Sequence, residues 1–224
     1  MLNEKVWIVI PAYNEQENIF GVIKSLQEMT ENIVVINDAS KDRTKEIVKS
    51  LGVFYIEHMI NRGQGAALQT GTDFALSQGA EIIVHFDADG QMLAKDIYRI
   101  IAPIINNEAE IVFGSRFLDK KSQIPWTKKY LILKPAILFN WLFTGIKLSD
   151  AHNGFRALSQ KAAKDMRILQ DGMAHATEIL DQVRANDLNY CEIPVEIIYQ
   201  QYGQRFSSGF KIIRDLILAK IIRK

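Results

Sequence analysis

Short apolar runs recur through the first half of the chain, and each gives way to a polar loop and then to apolar residues at helical spacing. Residues 6–10 (VWIVI), 33–36 (IVVI), 53–57 (VFYIE), 82–86 (IIVHF) and 111–114 (IVFG) are short and rich in β-branched and aromatic side chains. Such runs read as strands, and the continuously apolar ones as strands buried on both faces. Pro11 is expected to stop the first. Between them, Ile19, Val22, Ile23 and Leu26 predict a helix with Asn14 as its N-cap. Ile47, Val48 and Leu51 predict a second, capped by Asp42 or Ser40 and closed by Gly52. Gly63 and Gly65 open a third that runs through Leu68 to Leu76, and residues 96–105 form a fourth. Strands alternating with helices make an α/β fold, a Rossmann-like, mostly parallel sheet flanked by helices. Right-handed crossovers then bring the loops PAYNE, NDAS, NRGQG, DADG and GSR to one rim, the end of an open α/β sheet where ligands bind.

Beyond Phe117 the alternation breaks. Residues 119–129 are polar and contain Pro125, so they read as a loop, followed by an apolar helix at 130–144. A short helix at 159–166, a helix at 174–186, strands at 189–193 and 195–199, and a last helix from Phe206 complete the reading. The expected organisation is one domain: a nucleotide-binding half at 1–117, a smaller acceptor-side portion at 118–205, and an amphipathic helix at 206–224.

Composition narrows this further. A formal charge of +1 over 224 residues gives no reason to expect a nucleic-acid partner. The single cysteine, Cys191, excludes an intramolecular disulfide and a cysteine-built zinc site, and it reads as a small core residue in a reducing compartment. The N-terminus lacks the pattern of an export signal, and no run reaches the roughly 18–20 apolar residues that span a bilayer.

The candidate chemistry centres on DADGQ. Asp87 and Asp89, one residue apart in the turn after a buried strand, can both aim oxygens at one hard cation bridging two phosphates. An acidic pair in a solvated turn is the simpler alternative. Asp38, at the end of the second strand, can accept hydrogen bonds from a base or ribose, or cap a helix. Arg62 and the turn from Gly63 to Gly65 can approach a diphosphate, because glycine lets backbone come close. Arg116 can deliver a fork of donors to phosphate oxygens. In the second half, Asp150, Asn153 and Arg156 flank the turn DAHNGFR, and His175 and Glu178 stand at i and i+3 of one helix. A hydroxyl acceptor needs a general base, for which Glu178, His175 and Asp150 are the candidates. A phosphate acceptor is already ionised and needs none.

The ordered motifs IPAYNE, NDASKDRT, NRGQGAALQTG, DADGQ, FGSRF and DAHNGFRAL resemble those of the family 2 glycosyltransferases with the GT-A fold. Within them they resemble the branch of dolichyl-phosphate mannosyltransferase and bacterial polyprenyl-phosphate sugar transferases. The resemblance implies inverting transfer from a UDP- or GDP-linked sugar with Mg2+ or Mn2+ as cofactor. Asp89 would be the principal metal ligand, Asp87 would contact ribose or metal, and Gln91 would be a direct ligand or the support of one. Pro11, Ala12, Glu15, Asp38, Arg62 and Gly65 would line the nucleotide site, and Arg116 would serve a phosphate. The acceptor would be polyprenyl-linked. One departure is Gln200, where that branch carries an arginine; Arg205 is the nearest substitute. A nucleotidyltransferase would want a glycine-rich basic loop after the first strand, which PAYNE is not, and a non-catalytic sugar-nucleotide sensor is the non-enzymatic alternative.

Segments 130–144 and 206–224 combine large apolar residues with lysine or arginine. Helices of that composition lie in the headgroup plane, so the expectation is a protein peripheral on the cytoplasmic face of the membrane. Core helices or a homo-oligomer interface are the alternatives.

Overall fold

The computed structural model describes residues 2–3, 5–118, 145–150, 153–172 and 174–198. The helices expected at 130–144 and from Phe206, the loop at 119–129, Gln200 and Arg205 lie outside them.

The apolar runs form the strands β1 (Val6–Ala12), β2 (Ile33–Asn37), β3 (Phe54–Glu57), β4 (Ile82–His85) and β5 (Ile111–Ser115). The helices between them are α1 (Ile19–Gln27), α2 (Thr44–Lys49), α3 (Gln64–Ser77) and α4 (Ile97–Ile105), the last entered through a 3-10 turn at Ala94–Asp96. Then follow β6 (Arg156–Ser159), α5 (Gln160–Asp165), α6 (His175–Ala185) and β7 (Tyr190–Pro194). The sheet order is β3-β2-β1-β4-β6-β5-β7. Every pairing is parallel except those of β6, which runs antiparallel between β4 and β5.

Every residue of β1, β2, β4 and β5 is buried, because helices cover both faces. On one face Ile19, Val22 and Ile23 of α1, Val48 of α2 and Ile97, Ile100 and Ile101 of α4 pack with Ile8, Ile10, Val35 and Val84. On the other, Ala67 and Leu68 of α3, Ala162 of α5 and Ile179, Leu180 and Val183 of α6 pack with Val9, Ile36, Ile83 and Phe113. Each isoleucine or valine fully buried this way contributes about 1.5–3 kcal/mol.

Four expectations are corrected. First, Pro11 does not end β1, which continues through Ala12 in register with Ile36 and Asn37. Alternate residues of β1 face β2 and β4: Ile8 N donates to Asn32 O, and Ala12 O accepts from Asp38 N, whereas Val9 O accepts from Phe86 N. Pro11 therefore faces the β4 side beyond the last ladder pair, Val9 with His85, where its missing N–H has no ladder bond to lose. Second, Asn14 is not a helix cap. It has φ 57° and takes the Lys41 amide on its side-chain oxygen, while α1 begins after Asn18. Third, residues 156–158, for which the sequence predicts no element, form with Ser159 the strand β6, antiparallel to both neighbours. Fourth, residues 195–198 make an isolated bridge, Ile197 to Met92, instead of a strand.

Candidate active site

Hydrogen bonds tie the rim loops to one another in sequence. Ser40 Oγ and Thr44 Oγ1 accept the amides of Asn14 and Glu15, joining the first loop to the second. Asp42 Oδ1 accepts from the Thr44 amide and hydroxyl, but the N-cap of α2 is Arg43, with no side-chain cap bond, so neither Asp42 nor Ser40 is the cap that was expected. Ala39 has φ 59°, a left-handed conformation that costs a non-glycine residue about 1 kcal/mol or more and that clusters at ligand sites.

Asp38 joins the second loop to the third, and its carboxylate turns inward. Only 3% exposed, it accepts from the amides of Arg62 at 2.9 Å and Gly63 at 2.6 Å, and His58 Nδ1 lies 2.7 Å from Oδ1. What was expected to meet a base thus anchors NRGQG. The glycines are also redirected. A Cβ at Gly65 would collide with the carbonyl of Gln170, and its amide donates to Asp171 O at 2.8 Å. The close approach glycine permits here is to the 170–171 backbone. Arg62 is half exposed and meets Asp171 at 3.5 Å.

Asp87 and Asp89 emerge at the carboxyl end of β4, as expected. Asp87 Oδ1 accepts from Gln64 Nε2 at 2.9 Å. Burial first, then the Asp89 charge, push Asp87 up to about 6, against the opposing pull of the Arg156 guanidinium. Burial raises Asp89 as well, although the Gln91 amide donates to its Oδ1 at 3.0 Å. Glu15 is raised by burial, with Asp89 among the carboxylates that add to it. Gln91 contributes this main-chain contact, and its carbonyl accepts from Ile198 N. Pro11 and Ala12 are buried within β1, so the exposed part of the first loop starts at Tyr13 and brings Glu15 to the carboxylate pair.

Three carboxylates raised chiefly by burial, Asp87 also by the charges of Asp89 and Glu15, with so few donors fit a divalent cation. Among the described residues no three His, Cys, Asp or Glu side chains gather to hold one by themselves. The fit is that of a shared site, in which phosphate oxygens and water complete the shell of a hard ion. Because Asp87 titrates at about 6 in the fold and at 3.8 ordinarily, the metal-free protein takes up a proton there before the unfolded chain does. It therefore gains stability as pH falls from 6 towards 4. Metal-free Asp87→Asn should then melt above the wild type at pH 7 and match it near pH 4, whereas Mn2+ with UDP should stabilise the wild type increasingly as pH rises through 6. A melting difference independent of pH would refute the shift.

The acceptor-side residues form two clamps. Arg116 Nε and Nη2 donate to both oxygens of Asp150 at 2.5 and 2.6 Å, and its amide donates to Oδ2 at 3.0 Å. Asp150 is held in turn by Glu192, which accepts the amides of Ser149 and Asp150 and the Ser149 hydroxyl. The fork expected on a phosphate therefore rests on a carboxylate. In the second clamp, Glu178 Oε2 accepts the amides of Leu169 and Gln170, and His175 Nδ1 donates to Gly172 O at 2.8 Å. Both stand in the first turn of α6 and fix segment 169–172 against Gly65. Sequence reasoning missed Gln64, His58, Gly154 and Glu192; the first three lie inside or beside the motif loops, whereas Glu192 stands in β7 with no such signal.

Residues 7–167 match the family described as glycosyl transferase family 2. The chain is 35% identical to the UDP-N-acetylglucosamine–dolichyl-phosphate N-acetylglucosaminyltransferase of Methanococcus voltae, across 99% of this chain and 98% of that protein. It is 24% identical to the polyprenol monophosphomannose synthase of Mycolicibacterium smegmatis, across 93% of this chain and 83% of that one. Glucosyl-3-phosphoglycerate synthase from Mycobacterium tuberculosis, solved with Mn2+, UDP and phosphoglyceric acid, superimposes with a TM-score of 0.76 at 16% identity. That overlay covers 99% of this chain and 78% of the other, and it speaks for a shared fold.

Proposed function

The chain belongs to glycosyl transferase family 2 and is a glycosyltransferase, and we propose that it transfers a sugar, with inversion, from a UDP-linked donor to a polyprenyl phosphate. The observation that carries the donor half is the carboxylate pair Asp87 and Asp89, raised together at the end of β4 with Glu15 beside them. Asp89, with Asp87 and Gln91, would hold Mg2+ or Mn2+, which neutralises the departing diphosphate. UDP-N-acetylglucosamine is the proposed donor, since the relative named for it matches this chain along nearly its whole length.

An acceptor phosphate oxygen attacks the anomeric carbon from the side opposite the diphosphate. The bond to the diphosphate oxygen breaks, and its electron pair leaves with UDP. The structure supports a phosphate acceptor through what the base candidates already do: Asp150 receives Arg116, Glu178 holds two amides and His175 donates to a carbonyl. An ionised phosphate asks for no base. Asp38 shapes the nucleotide pocket through the loop it anchors, and Arg116, with its guanidinium plane set by Asp150, is the proposed phosphate contact.

We place the protein peripherally on the cytoplasmic face of a membrane. No helix among the described residues is long and apolar enough to cross one. Incubation of labelled UDP-N-acetylglucosamine with Mn2+ and polyprenyl phosphate should give UDP and a β-linked lipid sugar. Release of UMP or pyrophosphate, or no lipid product from any UDP- or GDP-sugar, would overturn the reading, and flotation with anionic vesicles checks the location.

A further inference from the structure

Asp87 is held on two sides by residues to which the transfer reaction assigns no part. Gln64, the first residue of α3, donates to Oδ1 at 2.9 Å. Its position follows from the loop geometry on either side of it: Gly63 at φ 104° with its amide on Asp38, and Gly65 with its amide on Asp171 O. On the other flank the backbone of Gly154 lies so close that a Cβ there would collide with Oδ2 and stand 3.0 Å from Oδ1 and Cγ. Arg156 holds that backbone in place. It sits opposite His85 in the β4–β6 register, is 2% exposed, and donates from Nε to Gly154 O at 3.2 Å and from Nη2 to Asn153 O at 3.3 Å.

A buried guanidinium whose hydrogen bonds go to two carbonyls is costly to keep. The carboxylate whose charge it feels is Asp87. The neighbouring ring of His85 is kept neutral, well below its ordinary value, by burial and by Arg156 and His175, so it adds no second charge to the cluster.

We infer that Gln64 and Arg156 are positioning residues that fix the Asp87 carboxylate for cation and diphosphate, Gln64 by a direct bond and Arg156 by bracing the Asn153–Gly154 corner against it. The inference rests on the proposed cation site and deepens it. A carboxylate with free rotation about its side-chain bonds would have to be ordered each time a donor bound; one held between an amide and a backbone wall is ordered in advance. Side chains that orient a metal ligand typically change metal affinity by about 10–100-fold when removed.

The test uses the full chain. Gln64→Met keeps the length of the side chain and removes the donor, and Arg156→Lys keeps the charge and removes the fork that spans two carbonyls. Mn2+ binding in the presence of UDP is read by electron paramagnetic resonance of the free ion, UDP binding without metal by calorimetry, and metal-free stability by urea unfolding. Gln64→Met should weaken Mn2+ about tenfold or more, with metal-free UDP affinity and unfolding midpoint near those of the wild type. Its turnover should fall while the KM for the acceptor stays. Arg156→Lys should weaken Mn2+ in the same sense. Wild-type Mn2+ affinity in Gln64→Met would overturn the inference and leave the cation site standing. A wild type that binds no Mn2+ beside UDP would overturn both.

Discussion

Asp89→Asn is expected to abolish sugar transfer while the fold survives. Among the described residues Asp89 receives one hydrogen bond, from the Gln91 amide, and asparagine retains an oxygen for it. The substitution also removes a partly buried charge, whose burial holds the Asp89 pKa above its ordinary value. Metal-free stability should therefore hold or rise. The lost anion is the one proposed to hold the cation against the departing diphosphate, so turnover should fall more than 100-fold, about 2.7 kcal/mol of barrier. Asp73→Asn is the matched control, because Asp73 is exposed on α3 and, among the described residues, receives only Gln69. An Asp89→Asn enzyme with more than about a tenth of wild-type activity, about 1.4 kcal/mol, would sink the metal role.

The second large effect is on stability. Arg116→Met should destabilise the fold by about 3–5 kcal/mol, the usual cost of breaking a buried ion pair from one side. The two side chains are 12% and 1% exposed, and Glu192 stands next to Asp150 through Ser149. Without the guanidinium two carboxylates share one desolvated corner. Adding Asp150→Asn should recover part of the loss, and urea unfolding of the four members of that cycle measures the coupling. A single-mutant loss below about 1 kcal/mol, as for an exposed pair, would show that this corner is wet.

What the sequence made legible was whatever depends on neighbours in the chain. The five leading strands announce themselves as apolar runs, and the acidic pair stands out because it follows one of them directly. β6 was illegible for the opposite reason. It is four residues long, starts with a buried arginine, and is a strand only because Ile82–His85 and Ile111–Phe113 flank it. The site divides in the same way. Asp87 and Asp89 were found where they were expected, but the tasks of Asp38, Gly65, Arg116 and Glu178 are set by partners that local patterns do not disclose. Asp38 serves an amide 25 residues away, and Arg116 a carboxylate 34 away. Residue type at these positions was readable; the object of each hydrogen bond was not. Pro11 shows the reverse error, where a sound rule about strand ends failed because the neighbouring strand had already stopped.

The place of β5 bears on how the protein is made. Among the described residues its ladders are with β6 and β7, and neither precedes it in the chain. During synthesis, when IVFGS leaves the ribosome, residues 116–155 must still be added before the first partner strand begins. At 5–20 residues per second those forty or so residues take about 2–8 s. For that interval the nascent chain offers an apolar strand with both edges open, a template for pairing with other chains. A Phe113→Lys change in a chain truncated after β5 should therefore raise the solubility of that fragment.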